Sequence, residues 1–223
     1  MRTFLTEFQE RKREVRRYMA VLRLADRDTA DDTKRRFEKE ARIFRAAALL
    51  VIYNAIEASA RSAIQAIYDE IEQSATPFHL LHEQFRKRVI RDFKQHAGED
   101  KAFAMQDVAV EMIIASFNSR RIFNGNVDAR EIRDQSAHYG FKTDTDYTQS
   151  KHGEHLVTVK NKRNDLAHGI LSFSSVGKDY TVRELLEIER CSLAYMEGIL
   201  NNINDYLDQK AYLAPSPQKL ASA

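Results

Sequence analysis

The sequence predicts an all-α protein, and three observations support this fold class. Strand-favouring residues are outnumbered by Ala, Leu, Glu, Lys, Arg and Gln, which favour helices. Only seven Gly and three Pro interrupt the 223 residues. Apolar residues recur at helical spacing through long segments. With 43% hydrophobic residues the chain can bury a sizeable core, so we predict one domain over residues 1–210 and a flexible tail at 211–223.

The first half of the chain predicts four helices. Residues 3–24 repeat apolar positions with charges between them, which is the pattern of an amphipathic helix. Residues 32–75 contain neither Gly nor Pro, and a single helix of this length would measure roughly 65 Å. Such a length suggests either a break or a helix that spans a dimer. Residues 78–96 and 101–117 predict two further helices.

Capping boxes mark the starts of two helices in the second half. In this motif an N-cap side chain is followed three residues later by Glu. The boxes are DARE at 128–131 and TVRE at 181–184. They predict a short helix that ends near Gly140 and a last helix that ends near Tyr206.

Between these two helices we predict an irregular polar segment over 141–153 and then a helix that ends at Gly169. At about 100° per residue, Arg163 lies near the middle of an apolar face that also carries Leu156, Val159, Leu166, Ala167 and Ile170. A second face carries Val157, Asn161, Asn164 and His168. A buried arginine is costly unless an anion or several acceptors lie against it. Arg163 therefore needs a partner.

Two kinds of partner are open for Arg163. One is Glu57, a carboxylate in the apolar half of the long helix, and a Glu57–Arg163 ion pair would explain both misplaced charges as structure. Glu57 has its own alternative, a surface pair with Arg61 one turn on. The other kind of partner is a ligand phosphate, which a guanidinium binds with forked donors. His168 would then move protons near neutral pH.

Composition excludes several classes of protein. The net charge of +2 gives no global reason to expect a nucleic-acid binder, although residues 1–50 carry an excess of positive charge. The N-terminus lacks the apolar core of a signal peptide, and no segment stays apolar for the length needed to cross a bilayer. We expect a cytoplasmic protein without a membrane partner.

Two histidine pairs have a spacing that would allow metal binding. His79 and His82, and separately His152 and His155, are three residues apart, which allows two ligands on one helical turn. No convincing third ligand accompanies either pair in the sequence. Cys191 fits a small side chain within a helix. We therefore predict neither a metal nor a cofactor.

Arg163-Asn164-x-x-x-His168 resembles the R-x4-6-H signature of the HEPN superfamily, in which a polar residue usually follows the arginine. The motif precedes the last long helix, as in HEPN bundles. With GNVDAREI upstream and RNDLAHG followed by FSSVGKDYT, the chain resembles the MAE-type HEPN-like nucleases of bacterial toxin–antitoxin and defence loci over about residues 37–206. The resemblance implies a HEPN-like helical bundle with additional N-terminal and connecting helices.

The resemblance also implies a metal-independent endoribonuclease. In HEPN ribonucleases the ribose 2′-hydroxyl attacks the adjacent phosphate and leaves a 2′,3′-cyclic phosphate. His168 would be the general base or acid, Arg163 would hold the phosphate, and Asn164 would orient the imidazole or bind a phosphate oxygen. Lys160 and Lys162, with residues 86–91, would line a local basic cleft for RNA.

Family members dimerise so that two motifs line one cleft, and the apolar face around Arg163 is the surface we expect to do so here. An antitoxin or another defence-locus protein is the further partner implied. HEPN toxins paired with nucleotidyltransferases carry a tyrosine two residues after the histidine, where this chain has Ile170. Silencing by nucleotide transfer is therefore not expected, with Tyr180 further along left open as a target. The alternative function is a catalytically inactive HEPN module that binds RNA or a partner protein.

Overall fold

The computed structural model describes residues 1–27, 37–97, 113–114, 116–118, 122–123 and 125–215. Over these residues it contains helices and no β-strand, which confirms the predicted all-α fold class. The helices are α1 (Thr3–Arg27), α2 (Glu38–Gln73), α3 (Glu83–Ala97), α4 (Ala129–Tyr139), α5 (Tyr147–Ser150), α6 (Glu154–Ala167), α7 (Phe173–Gly177) and α8 (Val182–Asp208). Short 3-10 turns at Phe78–Leu80 and Lys151–Gly153 precede α3 and α6.

Helix α2 is the centre of the fold, packed against α1, α6, α7 and α8. Without Gly or Pro it is unbroken over 36 residues, a length of about 54 Å. It ends where the Ser74 hydroxyl donates to the carbonyl of Glu70 and Ala75 adopts a φ of 45°. Of the two alternatives that the sequence left open, the break is therefore absent from Glu38–Gln73. The expected start near residue 32 lies outside the described residues.

One helix of the described residues, α2, is long and apolar enough to cross a membrane. Its best 18-residue window has a mean hydropathy of 1.4, and 56% of that window is buried inside the protein. Neighbouring helices cover this apolar surface, which is the arrangement of a core helix. The packing is consistent with a soluble protein.

In the second half of the chain, the predicted helix starts agree with the structure better than the predicted loops do. Both halves of the Thr181–Glu184 capping box are formed at α8, and Asp128 accepts from the Glu131 N–H at α4. Gly140 ends α4 with a φ of 89°. The expectation of an irregular segment at 141–153 was wrong in part, because α5 and a 3-10 turn lie within it. Helix α7 was not predicted.

The packed part of the chain extends past the predicted boundary at residue 210. Tyr212 is buried, its carbonyl accepts from the His82 N–H, and Ala214 donates to the carbonyl of Leu80. These contacts join the end of the chain to the turn before α3, so the expected tail at 211–223 begins too early. Residues 216–223 and most of the helix predicted at 101–117 lie outside the described residues.

Helix α7 lies so close to α2 that only glycine fits at its end. A Cβ on Gly177 would lie 1.8 Å from the backbone oxygen of Arg42, and a backbone atom cannot rotate away as a side chain can. We therefore expect Gly177→Ala to lower the free energy of unfolding by about 3 kcal/mol, measured by denaturant unfolding. The control is Gly169→Ala, where a Cβ meets nothing within 4 Å and the cost is the roughly 1–2 kcal/mol of a left-handed residue. Equal losses in the two variants would contradict this close packing.

Candidate active site

The end of α6 places His168 at the protein surface. His168 is the C-cap residue, and the left-handed Gly169 after it (φ 67°) lets the Gly169 N–H donate to Leu166 and the Ile170 N–H donate to Asp165. This is the hydrogen-bond pattern of a Schellman motif, so the sequence prediction of a glycine end is confirmed. The side chain of His168 is exposed. Among the described residues it has no hydrogen bond or ion pair that would hold it away from a substrate.

Most of the apolar face of α6 is buried inside the chain. Leu156, Val159 and Leu166 are 7% exposed or less, and α6 packs against α2, α8 and α4. This part of the face cannot join two copies, because the chain's own core covers it. Ala167 and Ile170, which the helical wheel placed on the same face, are exposed at the end of α6. The second face, which carries Val157 and His168, is open, and Val157 is 45% exposed.

Arg163 lies at the edge of this core with its guanidinium over an aromatic ring. The guanidinium carbon is 4.9 Å from the centre of the Tyr53 ring, and Nη1 donates to Oδ1 of Asn164 at 2.9 Å. The side chain remains 30% exposed. A cation over an aromatic face is attracted to the ring and fixed in orientation. Arg163 is thus held in place while part of it faces solvent.

Both partners that the sequence left open for Glu57 are present. Its Oε1 accepts from Arg61 at 2.7 Å, and its Oε2 lies 4.0 Å from Nη2 of Arg163. One carboxylate thus stands between two guanidinium groups and leaves one positive charge uncompensated within this group of three. The closer contact belongs to Arg61, so Arg163 keeps attraction for a further anion.

The segment from Gly125 to Asp128 lies against the motif helix. Gly125 (φ 72°) approaches Arg163 so closely that a Cβ would lie 2.9 Å from Nη1. Asn126 Oδ1 accepts from Nδ2 of Asn164 at 3.2 Å. The N–H of Val127 donates to the Tyr53 hydroxyl at 3.1 Å. These contacts fix Arg163 and Asn164 from the side that faces the loop.

Burial raises the pKa of Tyr53 to about 12; the Val127 N–H acts in the opposite direction, and the Glu57 carboxylate adds to the rise. Tyr53 is therefore a neutral phenol at physiological pH. Its ring supports the Arg163 guanidinium without adding a negative charge that would compete with a phosphate.

The two lysines assigned to substrate binding have acidic partners. Lys160 Nζ lies 2.5 Å from Oδ2 of Asp128 and is 19% exposed, and Lys162 lies 3.9 Å from Asp165. Burial alone would raise the pKa of Asp128, but the hydrogen bonds from Lys160 and from the Glu131 N–H lower it below its ordinary value. Lys160 therefore ties α6 to the start of α4. A role for it in RNA binding stays a prediction that this contact does not favour.

A surface cleft runs along the open face of α6, beside the motif. Its walls are mostly polar, with one aromatic side chain from outside α6. The lining residues are Thr158, Asn161, Lys162, Asn164, Asp165 and Tyr180. Tyr180 is partly exposed and packs against the core. Tyr180, which the sequence analysis considered only in connection with nucleotide transfer, thus supplies an aromatic wall next to Asn164.

A family model described as HEPN_MAE_28990-like HEPN matches residues 1–212. The chain belongs to this HEPN family. The match covers every described helix and agrees with the family predicted from the motif. No curated protein and no solved structure matches the chain. Ribonuclease or nucleotide-related function is the broad class that HEPN membership suggests.

In this HEPN chain the structure places Arg163 beside Asn164 and Glu57, one of the two kinds of partner that the sequence left open for it, and leaves His168 open at the helix end. Sequence reasoning missed Tyr53, Gly125 and Asn126. Two features of the sequence could have indicated these residues. Tyr53 lies one turn before Glu57 on the same strip of α2, and Gly125 and Asn126 belong to the GNVDAREI phrase that carried the resemblance.

Proposed function

We propose that this HEPN protein is a metal-independent endoribonuclease, acting in the cytoplasm as a toxin or defence effector. The observation that carries the proposal is the Arg163 guanidinium, which is fixed over Tyr53, is partly exposed, and shares its nearest carboxylate, Glu57, with the closer Arg61. Such a group is ready to bind a phosphate. The exposed imidazole of His168 follows it on the same helix.

In the proposed reaction the ribose 2′-hydroxyl of RNA attacks the adjacent phosphate. A general base takes the proton of that hydroxyl, and a general acid protonates the departing 5′-oxygen. The products are a 2′,3′-cyclic phosphate and a 5′-hydroxyl. Arg163 offsets the negative charge that builds on the phosphate during attack, and Asn164 positions the guanidinium that it contacts.

One imidazole cannot readily act at both sides of one phosphate, so we infer a homodimer in which two His168 residues share the cleft. The buried part of the apolar face of α6 does not serve as the interface. The open face does so better, because it carries His168 and the exposed Val157, and the exposed Ile170 lies just beyond the end of the helix. A symmetric contact across this face would bring two copies of the motif together. An antitoxin or another defence-locus protein would act by covering the same face.

The second candidate function is a catalytically inactive HEPN module that binds RNA or a partner protein. The Arg163–Glu57 distance of 4.0 Å and the Lys160–Asp128 ion pair favour it, because both assign structural partners to charges of the motif helix. Under this function Arg163 stabilises the fold, and His168 has no reaction to perform.

The experiment that tests the proposed function identifies the chemical ends of the RNA fragments. Purified protein is incubated with single-stranded and structured RNA in EDTA, and the fragment ends are identified by mass, since a cyclic phosphate is lighter than a linear one by one water. We expect cleavage with cyclic ends. A single 2′-deoxynucleotide at the mapped site should block it. Cleavage of the deoxy-substituted substrate, or a requirement for added Mg²⁺ or Mn²⁺, would overturn the mechanism.

A further inference from the structure

A second group of chemically reactive side chains lies at the other end of the motif helix. His155 is in the first turn of α6, and Glu187 and Cys191 are one turn apart on α8. One ligand atom from each of the three residues lies within 4.8 Å of the others. The histidine pair that the sequence offered, His152 and His155, is therefore not the relevant pairing. His155 instead meets two residues more than 30 positions away.

The three side chains form a ligand set that suits zinc. Thiolate sulfur, imidazole nitrogen and carboxylate oxygen all bind Zn²⁺, at about 2.0–2.3 Å. A tetrahedral site separates its ligand atoms by roughly 3.5 Å, so the observed spacing needs only small side-chain rotations. Because all three residues lie on two packed helices, the backbone already has the required arrangement.

The contacts around the three side chains hold the start of α6 against α8 and support metal binding between these two helices. The turn before α6 lies directly against α8, since a Cβ on Gly153 would lie 3.0 Å from the ring of Tyr195. Nη2 of Arg190 lies 3.3 Å from the Cys191 sulfur and donates to it. A donor of this kind stabilises a metal-bound thiolate from the outer shell.

The three side chains differ in solvent exposure, and this difference suits a metal site with one coordination position open to water. Cys191 is buried, His155 is half-buried, and Glu187 is exposed. The side next to Glu187 therefore faces solvent. A metal held by the three side chains would complete its coordination there with a water molecule.

We propose that His155, Glu187 and Cys191 bind one Zn²⁺ ion, which joins the start of α6 to α8. Its role is structural. His155 precedes Arg163 by eight residues, about 12 Å along the helix axis, and His168 lies further still. The ion would thus fix the helix that carries the motif without touching the reacting phosphate, and this inference does not depend on the proposed function.

The test uses full-length protein freed of metal with EDTA, then dialysed in a mild reductant. Addition of Co²⁺ should give the visible bands of a tetrahedral ion and the near-ultraviolet band of a cobalt–thiolate bond. At free Zn²⁺ about 100 times Kd, the Tm should rise by about 5–10 °C. Both signals should persist in His152→Ala, the matched control, because His152 lies outside the group.

His155→Ala and Cys191→Ser should lose the thiolate band and the rise in Tm. Since Cys191 is buried, the exposed Glu187→Gln provides a third variant that leaves the core intact, and it should weaken zinc binding at least tenfold. An unchanged Zn²⁺ response in His155→Ala, or no cobalt–thiolate band in the wild-type protein, would overturn the proposal.

Discussion

Replacement of His168 with alanine is expected to lower the rate of RNA cleavage by about 10²–10⁴-fold, the usual contribution of a positioned proton-transfer group. The fold should be unaffected, because the His168 side chain is exposed at the end of α6. Only the backbone of His168 takes part in the helix cap, because its N–H donates to the backbone carbonyl of Asn164. Alanine keeps that N–H. The variant should therefore show wild-type thermal unfolding together with the loss of cleavage.

The matched control for this variant is His79→Ala, which removes another exposed histidine from outside the motif helix. Initial cleavage rates in EDTA are compared at equal protein concentration. His79→Ala should retain wild-type activity. Equal activity in His168→Ala and the wild-type protein would remove the imidazole from the mechanism and favour the binding-module function.

Replacement of Arg163 with lysine should lower the cleavage rate by about 10²–10³-fold, the loss typical of one group that stabilises transition-state charge. Lysine keeps the charge but lacks the planar fork, and it stacks less well on an aromatic ring. The contacts to Tyr53 and Asn164 that orient the guanidinium would be weakened. Because the remaining charge still lies near Glu57, we expect only a small change in the free energy of unfolding.

Arg61→Lys separates the catalytic role of Arg163 from a structural role. Arg61 is the other guanidinium on Glu57, and at 2.7 Å it makes the closer contact. Cleavage rates and denaturant unfolding are measured for both variants. We expect Arg61→Lys to retain activity. Equal losses of activity in the two variants would mean that the shared ion pair acts through the fold and that Arg163 has no separate task.

Local signals predicted most of the fold. The Thr181 capping box, the glycine ends at Gly140 and Gly169 and the long apolar helix all depend on residues within one or two turns of each other. Helix α7 was missed because its five residues are too few for a periodic pattern. Its position depends on the close approach of Gly177 to α2, a contact between residues far apart in sequence.

The motif was predictable and its environment was not. Arg163 stood out as a charge on an apolar face with Asn164 and His168 on the next face, and the resemblance added the roles of these three residues in RNA cleavage. No periodicity connects Tyr53 or Gly125 with Arg163, because these contacts depend on how separate helices pack. For the same reason the sequence could not show that Lys160 pairs with Asp128, or that the chain's own core covers most of the apolar face of α6.

The most direct test of two motifs acting as one metal-free site is a subunit-mixing measurement. Wild-type protein and His168→Ala are mixed at constant total concentration until differently tagged copies have exchanged, and RNA cleavage is measured in EDTA. If both His168 residues of a dimer are needed, activity follows the square of the wild-type fraction and falls to about one quarter in an equal mixture. Activity of about one half, in proportion to the wild-type fraction, would contradict the shared site.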